Sequence, residues 1–443
     1  MSNKRALILA LALMSAPLYA TSVLQAFSKV VPQLPQIVLD SIMLGNLYFL
    51  IAIGITLTFT VAKFANFAHG DVATVGAYAA YLLYNFAVIG GIVNGLALEL
   101  GIISTLGGLV LLALWYALRK KGFGNTLLAL GLPILLTGLA VLFACYFGAN
   151  LIDLIVIAAT TSGITSLLSY LLVYKPLKER NASLVQLMVA SIGVALFIRY
   201  ALYEMTWYSR TYYGTEIAYQ NFGMPITSYQ GWFINGTLII VNATAVLYFM
   251  NKIPTLKIGA GGIKLTAMSM EEYYKLPPQP LISFTDLYIW STVTVIVIVL
   301  SLVLLFKKTK IGKAWRAVAD NPILAAACGI DVESVINLAW LVAGALAGIG
   351  GLFWAMRTQI YPELGWMVLL NAFAVAVLGG LGSFWGTFAA SYILAFAEQL
   401  GVSILAAINP QYTGYRFLIP FSVFLLVLYI KPEGLASIKK RRA

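Results

Sequence analysis

Few side chains in this sequence can do chemistry, and the most concentrated group lies in Asn66-Phe67-Ala68-His69-Gly70-Asp71. There an amide, the one imidazole of the chain and a carboxylate stand within otherwise apolar sequence. If the stretch lies in a bilayer, each ionisable group at a helix centre costs about 2.5–3.5 kcal/mol on insertion scales, so such groups face a cavity or a partner. Gly70 lets the backbone break, and a broken helix exposes N–H and C=O groups that are tolerable only beside protein or a water-filled path. The expectation is a discontinuous helix lining a path, with Asn66, Phe67, His69, Gly70 and Asp71 as its candidates. A capping role, in which Asn66 or Asp71 satisfies helix ends and touches no solute, stays open beside it, and the two can coexist.

Catalysis finds no support elsewhere. One histidine excludes multi-histidine metal chemistry on ligand count. Cys145 and Cys328 have no CxxC or Cys/His cluster beside them, which argues against a metal site or a disulfide framework. No P-loop is present, so the chain does not bind and hydrolyse ATP through that device. No catalytic residue and no metal ligand is assigned, and no cofactor is expected to be bound by this chain.

The elements that must hold these residues follow from composition. The 443 residues are 61% hydrophobic and 10% charged, with a mean hydropathy of +0.90. Soluble domains sit near 45–50% apolar and about 25% charged, so bilayer is the natural solvent. A span needs about 20 apolar residues. Such runs fall at 6–25, 37–60, 70–90, 96–118, 126–147, 151–174, 184–203, 286–306, 336–356, 366–380, 384–405 and 415–430. The expected fold is an all-α polytopic membrane protein of about 10–12 transmembrane helices, its glycine-rich pieces at 366–405 short or re-entrant.

Lysine and arginine set the orientation. They cluster at Lys4-Arg5, Arg119-Lys120-Lys121, Lys175/Lys178/Arg180, Lys307/Lys308/Lys310/Lys313/Arg316, and Lys431 with Lys439-Lys440-Arg441-Arg442. Threading the spans puts every cluster on one side, the cytoplasm, and makes the C-terminus cytoplasmic. The net charge of +12 is then a topology signal, and no nucleic-acid partner is expected.

Parity keeps Glu204 to Asp286 outside, since a span within it would invert everything downstream. Gly236-Thr-Leu-Ile-Ile-Val, then Asn242-Ala-Thr244, then Ala-Val-Leu-Tyr-Phe, reads as two strands around a polar turn. Residues 205–284 are therefore expected to be a small extracytoplasmic β-rich insertion, with a re-entrant or interfacial helix as the alternative. Asn235 and Asn242 open glycosylation triplets on that face. Residues 1–36 read as an N-terminal signal-anchor or extra span, with Ser15-Ala-Pro-Leu-Tyr-Ala20 also fitting a cleavable signal. The small residues of 343–351 favour close helix packing, and Glu398, inside an apolar run, is expected to face a helix partner.

The longest basic segment, 306–335, has an internal order that charge alone does not explain. Gly312 to Ala319 can form a short helix, and Asn321-Pro322 breaks it and starts another, because proline suits a helix's first turn. Gly329 ends that second helix as a C-cap residue would. Two short helices joined at a proline make a rigid knob that transmits motion where a floppy loop would absorb it. Gly312-Lys-Ala-Trp-Arg316-Ala, Asn321-Pro322 and Gly329-Ile330 resemble the coupling loop of the branched-chain amino acid ABC transporter permease family. The family's Glu-Ala-Ala core falls at Ile323-Leu324-Ala325, so only Ala325 is kept. Other stretches resemble the same family in the same order: Leu44-Gly45 through Thr58, Asn66 to Gly70, Gly76-Ala-Tyr78, Lys175-Pro176-Leu177, Gly344 to Gly351, Ala376 to Gly386, and Lys431-Pro-Glu-Gly-Leu435.

The resemblance implies a permease domain over 37–436, with extra spans within about 91–168 and a basic cytoplasmic tail at 437–443. It implies Gly312, Arg316, Asp320, Asn321, Pro322, Ala325, Gly329 and Ile330 as the ATPase-coupling loop, and Gly379, Gly380 and Gly382 as a structural turn near the cytoplasmic side. The implied partners are cytosolic ATP-binding subunits, a second permease subunit that is either a different chain or a second copy of this one, an extracytoplasmic solute-binding protein and membrane lipid. The implied solutes are branched-chain or related amino acids, with urea and short amides as the alternative. A secondary transporter or channel independent of ATP is the rival class. It calls for coupling-ion ligands or an inverted repeat, and neither is recognisable.

Overall fold

The computed structural model describes residues 25–89, 92–118, 124–234, 237–242, 252–259, 262–277, 279–430 and 434. Nearly all of the expected span at 6–25, the Arg119-Lys120-Lys121 cluster, Asn235, the turn at 243–244 and the tail at 437–443 lie outside the described residues. Among those residues, seven helices are long and apolar enough to cross a bilayer: Gln25–Ala62, Thr126–Phe147, Leu151–Glu179, Leu184–Tyr212, Asp286–Lys308, Val332–Arg357 and Phe384–Ile408. Shorter apolar helices occupy Gly101–Ala117 and Leu364–Gly379.

In chain order the first helices are α1 (Leu34–Ala62), α2 (His69–Ile89), α3 (Ile92–Leu118) and α4 (Gly124–Phe147). Next come α5 (Leu151–Ser169), continued by a π-helical turn at Tyr170–Tyr174 and a last turn at Lys175–Glu179, and α6 (Leu184–Tyr213). Then follow α7 (Asp286–Lys308), α8 (Lys310–Asp320), α9 (Pro322–Ala327) and α10 (Val332–Arg357). The last three are α11 (Leu364–Gly379), α12 (Phe384–Ile408) and α13 (Leu418–Ile430).

Several helix boundaries shift by a few residues from expectation, and two of the shifts have a clear local reason. Helix α1 starts at Leu34, ahead of the expected 37, because Pro35 falls in its first turn, where a missing N–H costs nothing. Helix α6 continues ten residues past the expected end at 203. Glu204 does not terminate it; Gly214 does, in the left-handed region at φ +63°, its N–H donating to the Arg210 carbonyl at 3.1 Å.

The chain divides into two compact units. Among the described residues, the larger lies within 46–225, 290–391 and 427–443, the smaller within 1–45, 226–289 and 392–426. In the larger unit, glycines of α10 bring three backbones together. Gly344 and Gly348 lie on Ser162, Ser166 and Ala158 of α5, and Gly351 lies on Ala73 of α2, so a methyl group at any of them would overlap a neighbour. This is the close packing expected of 343–351. Around it Val72, Tyr78, Leu154, Ile157, Leu202 and Leu352 form a buried core.

The smaller unit carries a five-stranded antiparallel sheet of β1 (Ser228–Ile234), β2 (Thr237–Asn242), β3 (Lys252–Gly259), β4 (Gly262–Ser269) and β5 (Ile282–Thr285), in the order β4-β3-β2-β1-β5. The expected β-rich insertion is thus present. The first strand expected within 236–250 is β2, and the second falls on residues outside those described. Trp232, Val241 and Ile253 form the small core, and the Trp232 indole N–H donates to the Pro277 carbonyl at 2.9 Å. In the same unit Glu398, 2% exposed, meets Arg416 of the 410–417 turn at 2.5 Å.

Candidate functional site

The helix discontinuity lies at 63–68 rather than at Gly70, and it is the turn between α1 and α2: His69, at the start of α2, lies beside Ile51 in the middle of α1. After α1, Lys63 takes a left-handed φ of 61°, its N–H donating to the Phe59 carbonyl at 3.0 Å. Asn66 then starts α2: its Oδ1 accepts from the Ala68 N–H at 3.1 Å and its carbonyl from the His69 N–H at 3.4 Å. Gly70 sits in the first turn of α2, where its function is close approach. A Cβ there would stand 2.5 Å from the Gly365 carbonyl oxygen at the start of α11.

Each candidate at the discontinuity has protein partners. Asn66 Oδ1 also accepts from the Tyr174 hydroxyl at 3.1 Å. The Phe67 N–H donates to Ser191 Oγ at 3.0 Å, and its ring lies 5.2 Å from that of Phe373. His69 is fully buried, with Nε2 3.0 Å from the Ile51 carbonyl oxygen. A carbonyl only accepts, so Nε2 carries the proton and Nδ1 is a bare acceptor without a hydrogen-bond partner. Gly54 makes room for this ring, since a Cβ there would lie 2.5 Å from it. Asp71, fully buried, receives Arg199 of α6 in a two-point contact of 2.9 and 3.0 Å. The Arg199 guanidinium in turn lies 4.7 Å from the Trp366 ring centroid.

The arrangement is one of capping and pairing in which each polar group of the stretch is tied to a different helix. Asn66 reaches the π turn after α5, His69 reaches α1, and Asp71 reaches α6. Thr74 extends it by accepting the Gly365 N–H at 2.9 Å. Sequence reasoning did not find Arg199, although a lone arginine within the apolar run 191–202 is a signal of the same kind as Asp71. Nothing in the spacing foretells Trp366 or Tyr174.

The segment 309–331 forms two capped helices. Thr309 caps α8, its side chain accepting from the Gly312 N–H at 3.0 Å, and a Cβ on Gly312 would press on Phe306 of α7 at 2.6 Å. Asn321 caps α9 by accepting from the Ile323 and Leu324 N–H groups, both at 3.1 Å, with Pro322 in the first turn. Gly329, at φ +80°, closes α9: its N–H donates to the Ala326 carbonyl at 2.9 Å and the Ile330 N–H to the Ala325 carbonyl at 3.1 Å. Ala325 is buried, whereas Arg316, Asp320, Asn321 and Pro322 are exposed. Ile323 and Leu324, at the tip, are 82% and 62% exposed. Lys175 at the end of the α5 segment pairs with Glu333 in the first turn of α10.

The glycine turn joins α11 to α12, with Gly380 and Gly382 both at φ +90° and Gly379 packed on Gly386. Gly434 lies against it, so that a Cβ there would stand 2.6 Å from the Gly380 nitrogen. Two stretches far apart in sequence thus form one structure.

A bundle of apolar helices, with buried and paired polar groups at the turn between α1 and α2, defines a multi-pass membrane transport protein. Residues 37–428 match the family described as the permease component of branched-chain amino acid transport systems, and the chain belongs to that family. It is a transport subunit. A probable branched-chain amino acid transport permease protein LivH of Methanocaldococcus jannaschii is 34% identical over 159 residues, 36% of this chain and 50% of the relative. The high-affinity branched-chain amino acid transport system permease protein LivH of Escherichia coli is 22% identical over 397 residues, 89% of this chain and 93% of the relative. Its LivM counterpart from the same organism is 24% identical over 147 residues, 32% of this chain and 33% of the relative. The match thus spans half the length of the first relative and nearly all of the second. No solved structure matches this chain significantly.

Proposed function

We propose that this chain is the permease subunit of an ATP-binding cassette importer, forming the path for branched-chain or related amino acids delivered by an external solute-binding protein. ATP is hydrolysed by separate cytosolic subunits, and a second permease subunit completes the pore. The chain resides in the cell membrane with its C-terminus in the cytoplasm, as the basic clusters direct. Asn66, Phe67, His69, Gly70 and Asp71 belong to the path region, where the turn between α1 and α2 brings polar groups into an otherwise apolar bundle.

The observation that carries this reading is the tip of the α8–α9 knob. Capped helices on both sides of Asn321 hold Ile323 and Leu324 out of the protein at 82% and 62% exposure, next to exposed Arg316 and lysines. An apolar pair held rigidly on a charged surface fits a cleft on a partner. An apolar tip also accounts for the missing acidic residue of the family pattern: docking here proceeds by burial of Ile323 and Leu324 in place of a carboxylate contact.

Co-purification decides it. The chain is expected to bring down an ATP-binding subunit, and Ile323→Asp to lose that subunit while the permease still inserts. Uptake of leucine in vesicles is expected to require ATP, the ATP-binding subunits and the solute-binding protein. Full solute flux from this chain alone would overturn the proposal, and selective uptake of urea would replace the solute.

A further inference from the structure

The knob α8–α9 and the turn at 63–68 are far apart in sequence, yet one side-chain bond joins them and a second joins the knob to the end of α1 just before that turn. The first arises from a vacancy in the backbone ladder. In a continuous helix the Ala319 carbonyl would accept from the N–H four residues on, that of Ile323. Asn321 takes that N–H for its own cap, at 3.1 Å, and Pro322 has no N–H to offer. The Ala319 carbonyl, at the negative end of α8, is left for an outside donor. Lys63 supplies it, its Nζ donating at 2.9 Å.

The second bond lies one turn back on each helix. Trp315 of α8 is 2% exposed, and its indole N–H donates to Thr60 Oγ1 near the end of α1 at 3.3 Å. Its ring stands edge-on to Phe306 at 5.3 Å, so α8 is held against both α7 and α1. Thr60 also touches the glycine turn, where a Cβ on Gly382 would lie 3.3 Å from its methyl group.

Lys63 holds this place in an unfavourable backbone state. Left-handed φ in a residue with a Cβ costs on the order of 1–2 kcal/mol, and lysine has no short polar side chain to offset it locally. Glycine would fill the turn at no such cost, but it carries no donor. The residue that ends α1 is therefore also the residue that caps α8, and the chain from it runs through only five residues to His69.

We infer that Lys63 and Trp315 are positioning residues that tie the coupling helix to the discontinuity, so that displacement of α8 by a cytosolic ATPase is delivered to residues 63–71. This rests on the importer reading above. Lys63 grips the carbonyl end of α8 and Trp315 its middle, so rotation or translation of α8 draws on Thr60 and Lys63 together. Asn66 and Asp71 lie just downstream, each bonded to a different helix, and a pull on Lys63 bears on both bonds.

The test uses the complete transporter in proteoliposomes, with its ATP-binding subunits and solute-binding protein, measuring leucine uptake and ATP hydrolysis in the same sample. Lys63→Met keeps the side-chain length and removes the donor. The leucine carried per ATP is expected to fall by about fivefold, less than a buried charge-assisted bond would give because Lys63 is solvent-exposed. Lys63→Arg restores the donor and is expected to stay close to the wild-type ratio, which a merely structural turn residue would not distinguish from Lys63→Met. Trp315→Phe keeps the ring and removes the N–H, with a smaller drop expected. If Lys63→Met fails to assemble, Trp315→Phe and Thr60→Val carry the test. Assembled variants that keep the wild-type ratio overturn this inference and leave the importer reading standing, whereas a wild-type complex without ATP-dependent uptake overturns both.

Discussion

Arg199 of α6 meets Asp71 of α2 through two parallel hydrogen bonds, Nε to Oδ1 at 2.9 Å and Nη2 to Oδ2 at 3.0 Å. The Asp71 side chain is fully buried and that of Arg199 13% exposed, so the pair joins two helices inside the protein. Such a pair contributes little against a well-packed apolar replacement, because both ions lose their hydration. Breaking it on one side is another matter.

Arg199→Ala is expected to destabilise the protein by about 3–5 kcal/mol, since it strands a buried carboxylate. Arg199→Lys recovers part of that, because an ammonium cannot make the two-point contact. Thermal unfolding in detergent measures both, and the double variant Asp71→Ala/Arg199→Ala is expected to lose less than the sum of its singles. Strict additivity would show that the two residues are not coupled.

Gly70→Ala places a methyl group 2.5 Å from the Gly365 carbonyl and is expected to destabilise by about 1–3 kcal/mol through overpacking. Gly107→Ala is its control. That glycine is also within a helix but has open space at the Cβ position, so alanine is expected to stabilise by about 0.5–1 kcal/mol. Opposite signs in the two melting temperatures are the outcome to look for.

Asn321→Ala removes an acceptor from two N–H groups of α9 and is expected to cost about 0.5–2 kcal/mol locally. Gly329→Ala forces a Cβ into the left-handed region at the other end of the same helix, for about 1–2 kcal/mol. Hydrogen exchange of the Leu324 to Ile330 amides is expected to rise in both variants while the amides of α10 stay protected. Gly329→Asn, which tolerates this conformation better, is expected to fall between them and the wild type.

Trp232→Phe removes the donor to the Pro277 carbonyl from the core of the sheet unit, leaving that acceptor to be rehydrated. The expected loss is about 1–3 kcal/mol, read as faster limited proteolysis of β1 to β5 with the helical segments unaffected. Equal protection in variant and wild type would show that the bond contributes nothing to the sheet.

The sequence by itself determined the membrane class, the existence of a β-rich insertion and the shape of the knob. Each rests on local physics: continuous apolar runs demand lipid, the β-branched run at 237–241 forms a strand, and Asn321-Pro322 and Gly329 begin and end a helix through bonds that span at most five positions. The same local rules misplaced the discontinuity. Gly70 is the residue freest to break a helix, but Lys63 ends α1, and Gly70 is needed for contact with Gly365, nearly 300 positions later.

Only the tertiary structure decided the partners of the polar groups. Asp71 with Arg199, Asn66 with Tyr174, Lys63 with the Ala319 carbonyl, and Gly434 against Gly380 all join residues more than 50 positions apart. The cost of burying a charge announces that Asp71 needs a partner, yet that cost is the same whichever helix provides it. Which helix does so is fixed by how closely the backbones can approach, and at α10 that is set by where Gly344, Gly348 and Gly351 leave room.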